Sequence, residues 1–175
     1  MSSNISTGGL SVATTLSSNL TLPVSTAAAY EMVTDPAYLE AVAIATGGNN
    51  VEVSVTPTDD GGAVMVSRRS LPADLPSYAK AVVGDTLRLT ETRSFGAAAA
   101  DGSRDGRVSV TIEGAPITIE GPLELRPTAD GSIVLISADI KAVIPFVGGK
   151  LEQFALEQMQ RFLRREQTLA LERLA

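Results

Sequence analysis

Hydrophobic and polar residues alternate with a period of two along most of this chain, as in the run Val51-Glu52-Val53-Ser54-Val55. Successive side chains of a strand point to opposite faces, so this alternation predicts strands with one buried face. We predict seven strands, at residues 16–24, 50–56, 63–70, 85–95, 107–114, 117–127 and 132–144.

The spacing changes to a helical one in two segments after the first strand. Ser25 is predicted to cap a short helix over residues 26–33. Asp35 is predicted to cap a second helix over residues 36–46, with Pro36 at its first position.

The chain closes with a predicted long helix over residues 150–175. Its apolar side chains recur at three- and four-residue spacing, which is typical of a helix that packs on a sheet. They are Leu151, Phe154, Ala155, Met159, Phe162 and Leu163. Between the strands, residues 71–84 break the alternation and predict a loop followed by a short helix that Gly84 ends. This segment is either a lid at a pocket mouth or a plug in the core.

The order of these elements is one strand, two short helices, six strands and one long helix. It predicts an α+β fold, in which a curved antiparallel sheet of about seven strands wraps around the C-terminal helix. Such an arrangement leaves room for a cavity between sheet and helix. Residues 16–175 are predicted to form a single domain, and residues 1–15, rich in Ser, Thr and Gly, a flexible tail.

Composition narrows the function classes. The chain has no Cys and no His, so we expect no disulfide, no zinc or copper site and no His-dependent catalysis. We also expect no cofactor. The net charge of −6 argues against a nucleic-acid partner. The one basic cluster, Arg161, Arg164 and Arg165, alternates with Glu157 and Glu166 and is interpreted as a solvated helix face, with a contact site for an anion as the alternative. Without a signal-peptide pattern or a membrane-spanning apolar run, we expect a soluble, cytoplasmic protein.

Strand alternation selects candidate residues for the cavity. The predicted apolar walls are Leu89, Val110, Ile112, Ile119, Phe154 and Phe162. The same alternation turns Glu91 and Arg93 inward on one strand and Arg68 inward on the preceding strand. Buried charges must pair with one another or meet a polar group of a ligand. A single bulge would reverse this parity and place all three in water. Tyr78 is a candidate for a phenol that reaches the cavity, although a surface position is the alternative.

Two sequence motifs carry a resemblance to a known family. They are Leu71-Pro72-Ala73-Asp74-Leu75-Pro76-Ser77, and the run from Ile144 through Pro145-Phe146-Val147-Gly148-Gly149-Lys150 to Glu152. With the order of elements, they resemble the helix-grip fold of the START-like superfamily, which includes birch-pollen-allergen-like proteins and the polyketide cyclase and lipid-transport group. The motifs are similar to those of an uncharacterised actinobacterial branch, a domain of unknown function. The resemblance implies the fold and a cavity, and it implies no activity.

The leading hypothesis is therefore a soluble binding module for a hydrophobic or amphipathic small molecule, such as a lipid, an isoprenoid or a polyketide-like compound. One alternative is an enzyme of the cyclase or dehydratase kind, in which Glu91 or Tyr78 transfers a proton with help from Arg68 or Arg93. Another is an interaction protein whose core is filled. The sequence leaves the oligomeric state open.

Overall fold

The structure, a computed structural model, describes residues 13–72 and 75–175 and contains seven strands and four helices in that part of the chain. The strands are β1 (Thr14–Leu22), β2 (Asn49–Pro57), β3 (Ala63–Pro72), β4 (Thr86–Phe95), β5 (Arg104–Ile112), β6 (Ile117–Thr128) and β7 (Gly131–Ala142). The helices are α1 (Thr26–Val33), α2 (Pro36–Ala45), α3 (Ser77–Val83) and α4 (Gly148–Leu174). The predicted order of elements is confirmed.

The seven strands form one antiparallel sheet in the order β1-β7-β6-β5-β4-β3-β2. Consecutive strands are neighbours except β1 and β2, which lie at opposite edges and are separated in sequence by α1 and α2. Gly121 marks a close approach within this sheet, because a Cβ there would lie 2.0 Å from the carbonyl oxygen of Ser137. A glycine inside a strand is typical of such a tight bend.

One face of the sheet is covered by α4. Alternate residues of β6 and β7 are buried, as Ile119, Leu123, Leu125 and Ile140 show. They meet an apolar stripe of α4, of which Leu163 belongs to the same cluster of core residues. The predicted curved sheet around a long helix is therefore confirmed, and the buried face of the sheet is the face that α4 covers.

Two sets of hydrogen bonds attach helix α4 to strands β1 and β7. Near its start, the Glu152 carboxylate accepts hydrogen bonds from the Thr14 hydroxyl at 2.9 Å and the Ala142 amide at 3.0 Å. Further along, the Gln167 side chain accepts from the Thr21 amide at 2.8 Å and donates to the Thr21 carbonyl at 2.9 Å. The helix begins at Gly148, where a Cβ would lie 2.5 Å from the Ala142 carbonyl oxygen.

The two predicted helix caps are confirmed, but several predicted strand and helix ends differ from those in the structure. The Ser25 and Asp35 side chains accept hydrogen bonds from backbone amides at the starts of α1 and α2, as predicted. Strand β1 begins at Thr14, inside the predicted tail, whose residues 1–12 lie outside the described part. In the segment 71–84, β3 continues to Pro72 and α3 ends before Gly84, while residues 73 and 74 lie outside the described part.

The predicted parity of β3 is wrong, whereas that of β4 is right. Leu89, Glu91 and Arg93 of β4 are buried as expected. On β3, however, the odd positions face inward, so Arg68 is exposed and Arg69 is buried. The antiparallel register pairs Ser67 with Glu91, and residues directly opposite one another share a face of the sheet. Arg68 therefore lies on the outer face, and its predicted inward position is corrected.

Candidate functional site

An apolar cavity of about 110 Å³ lies between the sheet, α3 and the first half of α4. Strands β4, β5 and β6 form its floor, α4 covers it, and α3 with the end of β3 closes one side. Its lining residues are Leu71, Leu75, Ala79, Val83, Leu87, Leu89, Val110, Ile112, Ile117, Ile119, Leu151, Phe154, Ala155, Gln158 and Met159. Among the described residues, Gln158 is the one polar side chain of this lining.

The structure places the predicted wall residues at this cavity, with one exception. The five that line it are Leu89, Val110, Ile112, Ile119 and Phe154. The sixth, Phe162, lies two turns further along α4 and lines a second cavity. Whether these side chains contact a ligand stays a prediction. Tyr78 is half-buried on α3 and packs against a small cluster that includes Ala79 and Leu151. These two residues line the apolar cavity, but Tyr78 itself lines neither cavity.

The second cavity has a volume of about 300 Å³ and adjoins the first. The two share part of their lining, namely Leu71, Leu89, Val110, Gln158 and Met159. The other lining residues of the second cavity are Ala45, Thr46, Arg69, Arg161, Phe162 and Arg165. We call the first the apolar cavity and the second the outer cavity. Their combined lining therefore passes from apolar side chains to cationic ones.

Four charged side chains form a buried network beside the outer cavity. Their exposed fractions are 5% for Arg69, 5% for Glu91, 8% for Arg93 and 1% for Glu166. The Arg69 guanidinium donates to one Glu91 oxygen at 3.0 Å, and the Arg93 Nε donates to the other at 2.6 Å. Arg93 then donates two parallel hydrogen bonds to Glu166, at 2.8 and 2.9 Å. This bidentate geometry is the strongest form of such a pair.

The network holds its groups in the charged state. Burial alone would raise the pKa of Glu91, but the positive charges of Arg93 and Arg69 outweigh burial and hold that pKa below its usual value. Burial likewise disfavours the charged form of Arg93, yet Glu166 and Glu91 raise the pKa of Arg93 well above its usual value. Because both oxygens of Glu91 accept hydrogen bonds from arginines, this carboxylate is poorly suited to serve as an acid or base.

Sequence reasoning missed two members of the network, Arg69 and Glu166. Glu166 was assigned to the solvated face, although it continues the apolar stripe three residues after Leu163 and four before Ala170. That spacing was the available signal. Arg69 also lies over Phe162, with its guanidinium carbon 4.7 Å from the ring centre, so it connects the network to the outer cavity.

Residues 13–72 and 75–175 contain no group of His, Cys, Asp and Glu side chains arranged to hold a metal ion. No helix within these ranges combines the length and the apolar composition needed to cross a bilayer.

Solved structures share this fold at low sequence identity. The protein TTHA0849 from Thermus thermophilus is 17% identical, with a TM-score of 0.60 over 92% of this chain and 99% of its own. A START superfamily protein from Mycobacterium smegmatis is 12% identical, with a TM-score of 0.54 over 92% and 99%. Ara h 8.0201 is 15% identical, with a TM-score of 0.53 over 90% and 97%. These likenesses confirm the predicted helix-grip fold.

No curated protein matches the chain significantly. A family model does match it, over residues 17–174, which span β1 through α4. The predicted resemblance to a domain of unknown function is therefore confirmed, and the chain belongs to the family described as protein of unknown function (DUF2505).

Proposed function

We propose that this protein binds a hydrophobic or amphipathic small molecule between its sheet and α4. The observation that carries the proposal is the apolar cavity, whose lining has one polar side chain among the described residues. Apolar cavities of roughly 150 Å³ in proteins stay dry and bind molecules such as benzene. A cavity of about 110 Å³ that adjoins one of about 300 Å³ and shares five lining residues with it accommodates the end of a longer molecule.

Burial of apolar surface supplies the driving force for such binding. Each buried CH₂ group contributes about 0.8 kcal/mol, so a chain of several carbons gains measurable affinity without a specific polar contact. The lining side chains come from a hydrogen-bonded sheet and a fastened helix, which makes the cavity largely preformed. Preformed sites with mostly apolar walls are typical of small-molecule binding.

The enzyme hypothesis has less support. Glu91, the carboxylate considered for proton transfer, is ionised and engaged by two arginines, and it lines neither of the two cavities described above. Tyr78 lines neither cavity. The apolar cavity therefore lacks an acid or base among the described residues, and binding without chemistry is the function that its geometry favours.

Titration with N-phenyl-1-naphthylamine, an uncharged fluorophore, tests the proposal. We expect saturable fluorescence enhancement with about one probe per chain. Val110→Phe fills part of the cavity and should abolish this enhancement. Thr111→Phe introduces the same side chain on the outer face of β5 and should leave binding intact, because neighbouring strand residues face opposite sides.

A second variant guards against a simple folding defect. Ala155→Phe on α4 fills the same cavity from the opposite wall and should also abolish binding. Thermal unfolding followed by circular dichroism checks that each variant remains folded. If folded Val110→Phe and Ala155→Phe bind the probe as the unchanged chain does, the apolar cavity is not the binding site.

A further inference from the structure

Two arginines stand at the outer cavity without a carboxylate partner among residues 13–72 and 75–175. Arg161 and Arg165 both line the cavity, and both are exposed. Neither guanidinium lies within 4.0 Å of a carboxylate in that part of the chain, whereas each of the buried arginines Arg69 and Arg93 does. Glu157 lies four residues before Arg161, a favourable helical spacing, yet the two form no ion pair.

The buried network does not offset these two charges. Arg69 and Arg93 are balanced by Glu91 and Glu166, so the network as a whole is neutral. Arg161 and Arg165 are four residues apart on one helix face, where like charges repel each other and destabilise the helix. In a chain with a net charge of −6, this concentration of positive charge at a cavity favours an anion there.

The helical spacing adds a third donor to the same face. Gln158 precedes Arg161 by three residues and Arg165 by seven, so all three side chains project toward the outer cavity, which they all line. Gln158 also lines the apolar cavity and so stands at the boundary between the two. A molecule that extends from one cavity into the other passes from an apolar floor to a row of hydrogen-bond donors.

We propose that the ligand is an amphipathic anion. Its apolar chain or ring lies in the apolar cavity, and its terminal carboxylate or phosphate lies in the outer cavity against Arg161 and Arg165. This inference rests on the proposed binding function and specifies the chemistry of the ligand. Guanidinium groups recognise both carboxylates and phosphates through paired hydrogen bonds.

Isothermal titration calorimetry tests the inference by comparing the affinities of two ligands of equal chain length. Decanoate carries a charge at about pH 8, and decan-1-ol does not. We expect decanoate to bind roughly three- to thirtyfold more tightly, the order that two partly exposed ion pairs supply. The preference should shrink as salt concentration rises, because mobile ions screen exposed charges.

Matched variants test whether Arg161 and Arg165 cause the preference for decanoate. The double variant Arg161→Gln/Arg165→Gln should lose the preference for decanoate while binding decan-1-ol as the unchanged chain does. Arg164→Gln is the control, because Arg164 is exposed on the same helix and lines neither cavity. This control should retain the preference in full.

The possible outcomes separate the inference from the proposed function. If decan-1-ol binds and decanoate binds no more tightly, the inference is wrong and the binding function stands. The inference is equally wrong if the double variant keeps the preference. If neither ligand binds the folded chain, the proposed function falls and the inference falls with it.

Discussion

Glu166→Gln removes one of four charges from the interior of this protein. In the unchanged chain, Arg69 and Arg93 balance Glu91 and Glu166, and all four are at least nine-tenths buried. The variant leaves a net charge of +1 in the same volume. Breaking a buried ion pair by removal of one partner costs about 3–5 kcal/mol, since an uncompensated charge remains buried. We expect a loss near 3 kcal/mol, because the glutamine oxygen still accepts one hydrogen bond from Arg93.

A double replacement separates charge imbalance from loss of contacts. Arg93→Met with Glu166→Leu removes one charge of each sign and leaves the pair of Arg69 and Glu91, which are 3.0 Å apart. Replacement of a buried pair by apolar side chains of similar volume is often neutral or stabilising. The double variant should therefore be more stable than Glu166→Gln, although it removes more hydrogen bonds.

Urea unfolding followed by circular dichroism, with linear extrapolation to water, measures both free energies. In a chain of this length, a loss of about 3 kcal/mol lowers the unfolding temperature by roughly 6–12 °C. The control is Glu172→Gln, an exposed site near the end of α4 that should change stability by less than about 0.5 kcal/mol. The reasoning is refuted if Glu166→Gln costs no more than this control, or if the double variant is the less stable of the two.

Four other expectations concern pH dependence, a buried hydroxyl and strand parity. Because the pKa of Glu91 is lower in the folded chain than in the unfolded chain, the unfolded chain binds more protons at acid pH. Stability should therefore hold above about pH 4.5 and fall below it, and a urea midpoint that stays flat on acidification would contradict this. Burial raises the pKa of Tyr38, and the negative charge of Glu166 raises it further. The unfolded chain therefore loses the tyrosine proton at a lower pH than the folded chain does. Stability should fall as the pH rises above about 10. Tyr38→Phe deletes a buried hydroxyl that has no partner among the described residues, and it should leave unfolding at neutral pH unchanged or shift it to higher urea. Arg68→Gln should change the free energy of unfolding by less than about 0.5 kcal/mol, and Arg69→Gln should lower it by about 2 kcal/mol or more; equal effects would refute the observed parity of β3.

The sequence predicts those parts of the fold in which one face of an element is plainly apolar. The helix caps Ser25 and Asp35 and the buried positions of β4 were predictable, because a local pattern decides each of them. The parity of β3 was not, because apolar residues occupy both of its faces, as Val64 and Met65 show. Pairing with β4 decides that parity, and the pairing is a property of the folded sheet.

In the candidate site, too, local patterns predict some residues and only the folded structure reveals others. Five of the six predicted wall residues line the apolar cavity, because strand alternation and helix spacing select them. The charges were harder to place. Glu166 is buried only because Arg93, seventy-three residues earlier in the chain, lies opposite it. A carboxylate on an apolar stripe is costly when it stands alone, and the compensating partner becomes visible only in three dimensions.

Polar contacts on either side of the apolar cavity set the distance between α4 and the sheet. Glu152 accepts a hydrogen bond from Ala142 of β7, and Glu166 accepts hydrogen bonds from Arg93 of β4. The two glutamates stand 14 residues apart, or roughly 21 Å along the helix axis. The segment of α4 between these two glutamates covers the apolar cavity. This segment cannot move toward the sheet and close the cavity without breaking the hydrogen bonds of Glu152 or of Glu166. We therefore expect the empty protein to keep the cavity open, so that binding proceeds without movement of the helix, and backbone amide chemical shifts of α4 would reveal any such movement.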